Sequence, residues 1–327
     1  MIKKEKNILV IGGAGYIGSH ITLELCERGY NVIVFDNLST GNQTNVDKRA
    51  KFIKGDILNK QDLEDAFCNS LDAVFHFAAL KAASDSMINP EKYSITNISG
   101  TINILNKMTE KGIPNIIFSS SAAVYGLPKY LPLDEKHPLN PINYYGFTKK
   151  EIENIIEWYS KIKNINFASL RYFNAVGYDN DSRIKEVEKK TKNLFPNIME
   201  VAIGKRKYIN LFGNDYNTHD GTCIRDYIHV KDLSIAHIYA FEYLMSNKKN
   251  ITLNLGTGIG YSVAEIIKFA EKYTNKKISY RVQNRRLGDI ERLIACSKFA
   301  KEKINWFAQF SDIENIFQSM WNVYKNL

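Results

Sequence analysis

Ile8-Leu9-Val10-Ile11-Gly12-Gly13-Ala14-Gly15-Tyr16-Ile17-Gly18 runs from four apolar residues into a glycine-rich turn. The turn opens a repeat in which Ile17, Ile21 and Leu25 recur every four residues. That order reads as strand, tight loop, helix. Such a loop needs glycines because the chain turns sharply and its backbone must approach a pyrophosphate held at a helix N-terminus. Gly29 follows the repeat and is well placed to stop the helix. A lone glycine pattern is weak evidence, but here the strand before it and the helix after it supply the context that a dinucleotide-binding loop requires.

Outward from this segment the alternation continues. Strands are expected at Asn7–Ile11, Asn31–Phe35, Lys51–Lys54, Ala73–Phe77, Asn115–Ser119 and Asn166–Arg171, with helical patterns between them. Several are continuous β-branched and aromatic runs, which suits strands buried on both faces. The expected fold class is α/β, a doubly wound (Rossmann) parallel sheet of six or seven strands. The periodicity weakens after about Val176, where the charged stretch Asp179–Lys192, then Leu194–Ile203 and the turn-rich Gly213–Gly221 follow. A dinucleotide-binding domain is therefore expected over residues 1–175. A smaller, interleaved C-terminal substrate domain is expected over 176–327, with part of 222–260 returning to the first. There are no internal repeats and no low-complexity segment.

The 327 residues suit one large domain or two unequal ones, and 44% hydrophobic with 24% charged residues is ordinary for a soluble globular protein. No apolar run approaches the ~20 residues needed to span a bilayer. Lys3, Lys4 and Lys6 before Ile8–Ile11 mimic a signal peptide, but Gly12-Gly13 end the apolar stretch too soon. Cys26, Cys68, Cys223 and Cys296 are scattered without metal-ligand spacing. They read as reduced thiols of a cytoplasmic protein, and no metal is expected. The net charge of +9 is spread along the chain with no basic block interleaved with aromatics. Nucleic-acid and membrane partners are not expected, and an anionic small substrate is.

The second strand ends in Asp36, placed to take the adenosine ribose hydroxyls and to repel a 2′-phosphate, and no Lys or Arg follows closely. The cofactor read from this is NAD. Gly55-Asp56-Ile57 closes the third strand and would flank the adenine, with Asp56 also available as a helix N-cap.

Ser119-Ser120-Ser121 ends an apolar strand, and Tyr145 and Lys149 open the helical pattern Lys150–Lys161. Four residues apart, Tyr145 and Lys149 share one helix face. An ammonium beside a tyrosine of ordinary pKa ~10 favours its phenolate, and a serine hydroxyl can relay the proton. Tyr-xxx-Lys alone arises often by chance. The triple of Ser121, Tyr145 and Lys149 after a dinucleotide loop is far more specific.

On these residues the chain resembles the extended short-chain dehydrogenases/reductases, and among them the UDP-hexose 4-epimerases. The resemblance runs nearly end to end. It is carried by Gly12–His20, Asp36–Ser39, His76–Ala79 with Lys81, Ser119–Gly126, Tyr145–Lys149 and Leu170–Asn174. Later segments continue it: Phe212–Tyr216, Asp220–Thr222, Arg225–Val230, Asn254–Gly258, and Arg286 with Gly288-Asp289. It implies reversible C4 inversion of a UDP-hexose through a 4-keto sugar, with NAD bound throughout. It also implies a homodimer built through helices of the first domain.

The cofactor contacts it implies are Gly12, Gly15, Tyr16, Ile17, Gly18, Asp36, Asn37, Ser39, Asp56, Ile57, Phe77, Ala78, Ala79, Lys81, Asn97, Ser119 and Phe173, with Tyr145 and Lys149 at the nicotinamide ribose. The substrate contacts it implies are Lys81, Ser121, Tyr145, Phe173, Asn174, Asn193, Leu194, Phe212, Arg225, Tyr227, Arg286, Asp289 and Leu293. Two arginines suit a pyrophosphate and Asp289 suits ribose hydroxyls. The plainer reading of Arg225-Asp226 is a local ion pair at a strand start.

Related 4,6-dehydratases carry Thr-Asp-Glu where this chain has Ser121-Ala122-Ala123, so water elimination lacks an acid. A decarboxylating relative fits the later segments less well. A non-catalytic NAD-binding sensor is disfavoured by the intact Tyr145 and Lys149. Departures from the family pattern are Ile11 before the first glycine, Ala175 after Asn174, and Leu293. A bulky Tyr is usual at this last position in enzymes restricted to plain hexoses. Leucine there leaves N-acetylated sugars open as substrates.

Overall fold

The computed structural model describes residues 6–67, 70–188, 193–286 and 288–327. Lys3, Lys4 and Cys68 lie outside the described residues, as does the last part of the charged stretch 179–192. Thirteen strands are described: β1 Asn7–Ile11, β2 Asn31–Asp36, β3 Lys51–Lys54, β4 Ala73–His76, β5 Asn115–Ser121, β6 Asn166–Tyr172, β7 Asn174–Val176, β8 Ile209–Phe212, β9 Ile224–His229, β10 Ile251–Leu255, β11 Gly260–Ser262, β12 Tyr280–Gln283 and β13 Arg292–Leu293.

The main sheet has seven parallel strands in the order β10-β6-β5-β4-β1-β2-β3. Alternate residues of each strand serve opposite faces. Ile8, Val10, Val32, Val34 and Phe75 pack with Ile21 and Leu25 of the helix Tyr16–Glu27 and with the helix Val230–Asn247. Leu9, Ile11, Ile33, Phe35 and Val74 pack on the other side, against Ile104 and Leu105 of Gly100–Lys111 and Ile152 and Ile156 of Tyr144–Lys163. Both faces are apolar because both are covered, which makes this the doubly wound sheet expected. The order runs outward in opposite directions from β1, so a crevice opens at the carboxyl ends of β1 and β4.

Gly29, with φ +80, follows the first helix and ends it. Beyond Val176 most strands belong to two smaller sheets. β9 pairs with β7, β11 and β13, while β8 and β12 form a separate pair. A third core gathers Phe195, Ile198, Met199, Leu211, Ile266, Ile316 and Phe317 beneath them. β10 and the helix Val230–Asn247 belong to the main sheet and its cover rather than to these smaller sheets.

Candidate active site

The loop after β1 is folded against its surroundings. Gly12 has φ +81, and a Cβ there would lie 2.5 Å from the Ala78 nitrogen, in the loop after β4. A Cβ on Gly18 would lie 2.2 Å from the Gly12 carbonyl oxygen, so the helix starts directly against the loop. Its N-cap residue, Gly15, makes no side-chain cap and no acidic residue stands in the first turn. The first N–H groups and the positive end of the helix dipole are thus suited to an external anion.

Asp36 ends β2 beside this loop, its buried carboxylate accepting from the N–H of Ala14 at 3.0 Å and of Leu38 at 2.8 Å. Burial raises its pKa, and the N–H groups of Leu38, Ala14 and Gly15 oppose that rise. A carboxylate, a glycine cradle and an uncapped helix together fit NAD. Asp56 accepts from Asn37 Nδ2 at 2.9 Å and from the Leu58 N–H at 2.9 Å. It does not cap a helix. Asn59 caps Lys60–Ala66 instead, because its carboxamide oxygen reaches the N–H groups of Gln61 and Asp62.

The helix carrying Tyr145 and Lys149 begins at Tyr144, where Asn143 accepts from the Gly146 N–H at 2.8 Å. Lys149 is buried and donates to the Ser119 carbonyl at 2.7 Å, with its ammonium 4.8 Å from the centre of the Phe118 ring and 5.9 Å from that of Tyr145. Ser121, at the end of β5, is hydrogen-bonded to Tyr145 and accepts from the Ala123 N–H at 3.2 Å. Burial pushes the Tyr145 hydroxyl up to about 12, with the Ser121 hydrogen bond working against it. Burial pulls Lys149 down to about 7, and Glu153 works against that fall.

Tyr145 and Ser121 open into a cavity of about 330 Å³. Tyr16, Ile17, Lys81, Phe173, Asn174, Asn193, Leu194, Phe212, Arg225, Tyr227, Arg286 and Asp289, all singled out in the sequence, also line it. Arg225 is not paired with its neighbour Asp226. It donates to Asp289 at 3.0 Å, while Asp226 is buried and accepts from the N–H groups of Thr257, Gly258 and Ala295. The Arg286 guanidinium stacks 3.8 Å from the centre of the Phe212 ring.

Other expected residues, among them Asn97, Phe77 and Ser119, do not line this cavity. Asn97 is buried and clamps the loop before Lys81, accepting from the Leu80 N–H at 2.8 Å and donating to the Leu80 carbonyl at 3.0 Å and to Thr148 Oγ1 at 3.2 Å. Phe77 packs on His237, with ring centres 5.1 Å apart. The Ser119 hydroxyl is bound to Tyr172. Leu293 does not line the cavity. It sits in a small apolar cluster with Val124, Ala295 and the cavity residue Phe173.

Sequence reasoning missed Glu188, Tyr178, Asn210 and Cys223, all of which line the cavity. Glu188 forms an ion pair with Lys81 from a segment read only as charged. Asn210 between Ile209 and Leu211 carries a period-two signal that could have marked it as facing away from the core. It also missed that Glu153, one turn beyond Lys149, lies on the same buried face.

Residues 8–256 match the sequence pattern of the family described as "NAD dependent epimerase/dehydratase family". The chain is 42% identical over 326 residues to a UDP-glucose 4-epimerase of Lactobacillus helveticus, covering 98% of this chain and 97% of that one. Its structure is similar to that of the UDP-glucose 4-epimerase from Brucella ovis in complex with NAD, with a TM-score of 0.93, 40% identity and coverage of 96% and 97% of the two chains. It is also similar to the Bifidobacterium longum enzyme in complex with NAD+ and UDP, with a TM-score of 0.94, 36% identity and 98% of both chains covered.

Proposed function

The chain belongs to the NAD dependent epimerase/dehydratase family, and from that premise we propose that it interconverts UDP-glucose and UDP-galactose by inverting C4, with NAD retained through the cycle. The observation that carries this is a single cavity joining Ser121 and Tyr145, above the buried Lys149, to Arg225, Arg286 and Asp289. The first set moves a proton, and the second suits a nucleoside diphosphate.

NAD, held by the glycine loop and Asp36, supplies the acceptor and donor of hydride at C4 and a positive charge that favours a phenolate. Every other step falls to the chain. Tyr145 takes the O4 proton, with Ser121 bridging it to the sugar. Burial holds its hydroxyl up at about 12, too weak an acid to be ionised at neutral pH, so the phenolate needs the positive charge of the bound cofactor as well as that of Lys149. Arg225, Arg286 and Asp289 hold the UDP while the 4-keto sugar turns over and presents its other face. Tyr145 then returns the proton to O4. Ala122 and Ala123 carry no acid for eliminating water.

We assign residues 1–175 to the cofactor half and 176–327 mainly to the substrate half, part of 222–260 rejoining the first. The place of β10 at the edge of the main sheet supports this. A homodimer is supported by Phe147, Trp158 and Ile162, exposed apolar residues whose spacing puts them on one stripe of the helix Tyr144–Lys163. Cys26, Cys223 and Cys296 are free thiols, which supports a cytoplasmic setting.

The test is to incubate the purified protein, with no added NAD, with UDP-galactose and in parallel with UDP-N-acetylgalactosamine. The C4 epimers are followed by NMR. Epimer appearing at equilibrium is the expected result, and the two rates rank the sugars. Unchanged sugars in a protein shown to carry NAD would overturn the proposal.

A further inference from the structure

Lys149 is buried, yet the carboxylate one turn along its own helix is not its ion-pair partner. Glu153 gives both oxygens to Arg171 of β6: Nη2 to Oε2 at 2.6 Å, and Nε to Oε1 at 3.0 Å and to Oε2 at 3.2 Å. The Ser120 hydroxyl also donates to it. Arg171 is fixed in turn by Tyr125 at 3.1 Å, whose hydroxyl donates to Asn254 at 2.6 Å. All five side chains are buried. The ammonium of Lys149 meanwhile goes to the Ser119 carbonyl at 2.7 Å.

A buried ammonium with no counter-charge tends to lose its proton. Around Lys149 stand Tyr145 and Glu153 on its helix, Phe118 and Ser119 of β5, His76 of β4, and Arg171 and Tyr172 of β6. His76 is kept neutral, burial pulling it down to about 3. Tyr145 and Tyr172 are both pushed up by burial, and Arg171 is positive. Glu153, ion-paired with Arg171, is the one carboxylate in this set.

We propose that Glu153 is a positioning residue for the proton chemistry: restrained by Arg171, it supplies the negative field that keeps a proton on Lys149 while leaving the ammonium free to face Tyr145 and the cofactor. This rests on reading Tyr145 as the base. When the Tyr145 and Lys149 pair has lost one proton, two arrangements compete. One is phenolate with ammonium, the working form. The other is phenol with neutral amine. The two residues titrate together, and the field of Glu153 sets the ratio. Were Glu153 released by Arg171, it would capture the ammonium and draw it away from Tyr145.

The experiment measures tyrosinate by ultraviolet difference absorbance across pH in the NAD-loaded protein, each variant read against the same variant carrying Y145F. In E153Q the tyrosinate at neutral pH should fall about tenfold, the effect of one pKa unit. The kcat should fall with it while the KM for UDP-galactose stays unchanged. E153D, which keeps the charge, should recover most of both.

Because E153Q leaves Arg171 unpaired in the interior, its stability will drop. The double variant E153Q/R171M removes both charges. Its thermal midpoint should recover relative to E153Q, while tyrosinate and kcat stay low. If the double variant regains native tyrosinate and kcat, Glu153 is only structural and the proposal is overturned. If tyrosinate follows Glu153 as expected in a protein that does not turn over UDP-galactose, the positioning role stands and the epimerase reading falls.

Discussion

Arg225 and Asp289 lie 64 residues apart in the chain and 3.0 Å apart in the cavity, each serving as the other's partner. A UDP-sugar that takes both must exchange this ion pair for contacts to pyrophosphate and ribose. On the proposed reading, Asp289 orients Arg225 as well as binding the nucleotide itself. Arg225→Gln should raise the KM for UDP-galactose by roughly 10- to 100-fold, the range for losing a charge-assisted hydrogen bond, with kcat little changed. Initial rates over a range of substrate concentrations check it. A fall in kcat at constant KM would move Arg225 from binding to chemistry.

Tyr145→Phe removes the proposed base but keeps the ring. It should lower kcat by roughly 10²- to 10⁴-fold, the usual weight of a positioned general base. NAD should remain bound, as judged by the nucleotide released on denaturation. Ser121→Ala should cost less, because Ser121 bridges rather than accepts.

Gly18→Ala would ordinarily favour a helix by about 1 kcal/mol. Here the new Cβ would lie 2.2 Å from the Gly12 carbonyl oxygen, a backbone atom. The loop has to shift, so the variant should lose bound NAD and melt at lower temperature. Both are readable on the purified protein.

Four histidines are buried as neutral groups. Burial pulls His20 and His237 down to about 4 and His76 and His229 to about 3. Unfolded, each returns to about 6.5. Below that pH the unfolded chain binds more protons than the folded one, so stability falls as pH drops from about 6.5 toward 4. Each histidine contributes up to about 1.4 kcal/mol per pH unit. Urea midpoints at successive pH values should decline steeply over this window and level off above it. A flat profile would mean that the four are not buried neutral.

Leu293 packs against Phe173, which lines the cavity, so a larger side chain here pushes on the cavity wall from behind. Leu293→Tyr should lower the turnover of UDP-N-acetylgalactosamine relative to UDP-galactose. An unchanged ratio of the two rates would remove Leu293 from the control of sugar choice.

Much of the fold was legible because its signals are local. The six strands expected in the first half are present, and each edge differs by no more than two residues. Continuous apolar runs announced burial on both faces. Asp56 illustrates the limit: it and Asn59 both suit a cap, and only the helix start at Lys60 separates them.

What the sequence by itself determined was the glycine loop, Asp36 at the end of β2, and Tyr145 one turn before Lys149. Each depends on spacing along a single strand, loop or helix, and such spacing is carried by the local backbone repeat. Only the tertiary structure decided which charges meet. Arg225 with Asp289, Lys81 with Glu188, and Arg171 with Glu153 join elements whose approach depends on sheet order and helix packing. An ion pair needs contact within a few ångströms, and no local pattern encodes which distant strand ends and loops will come that close.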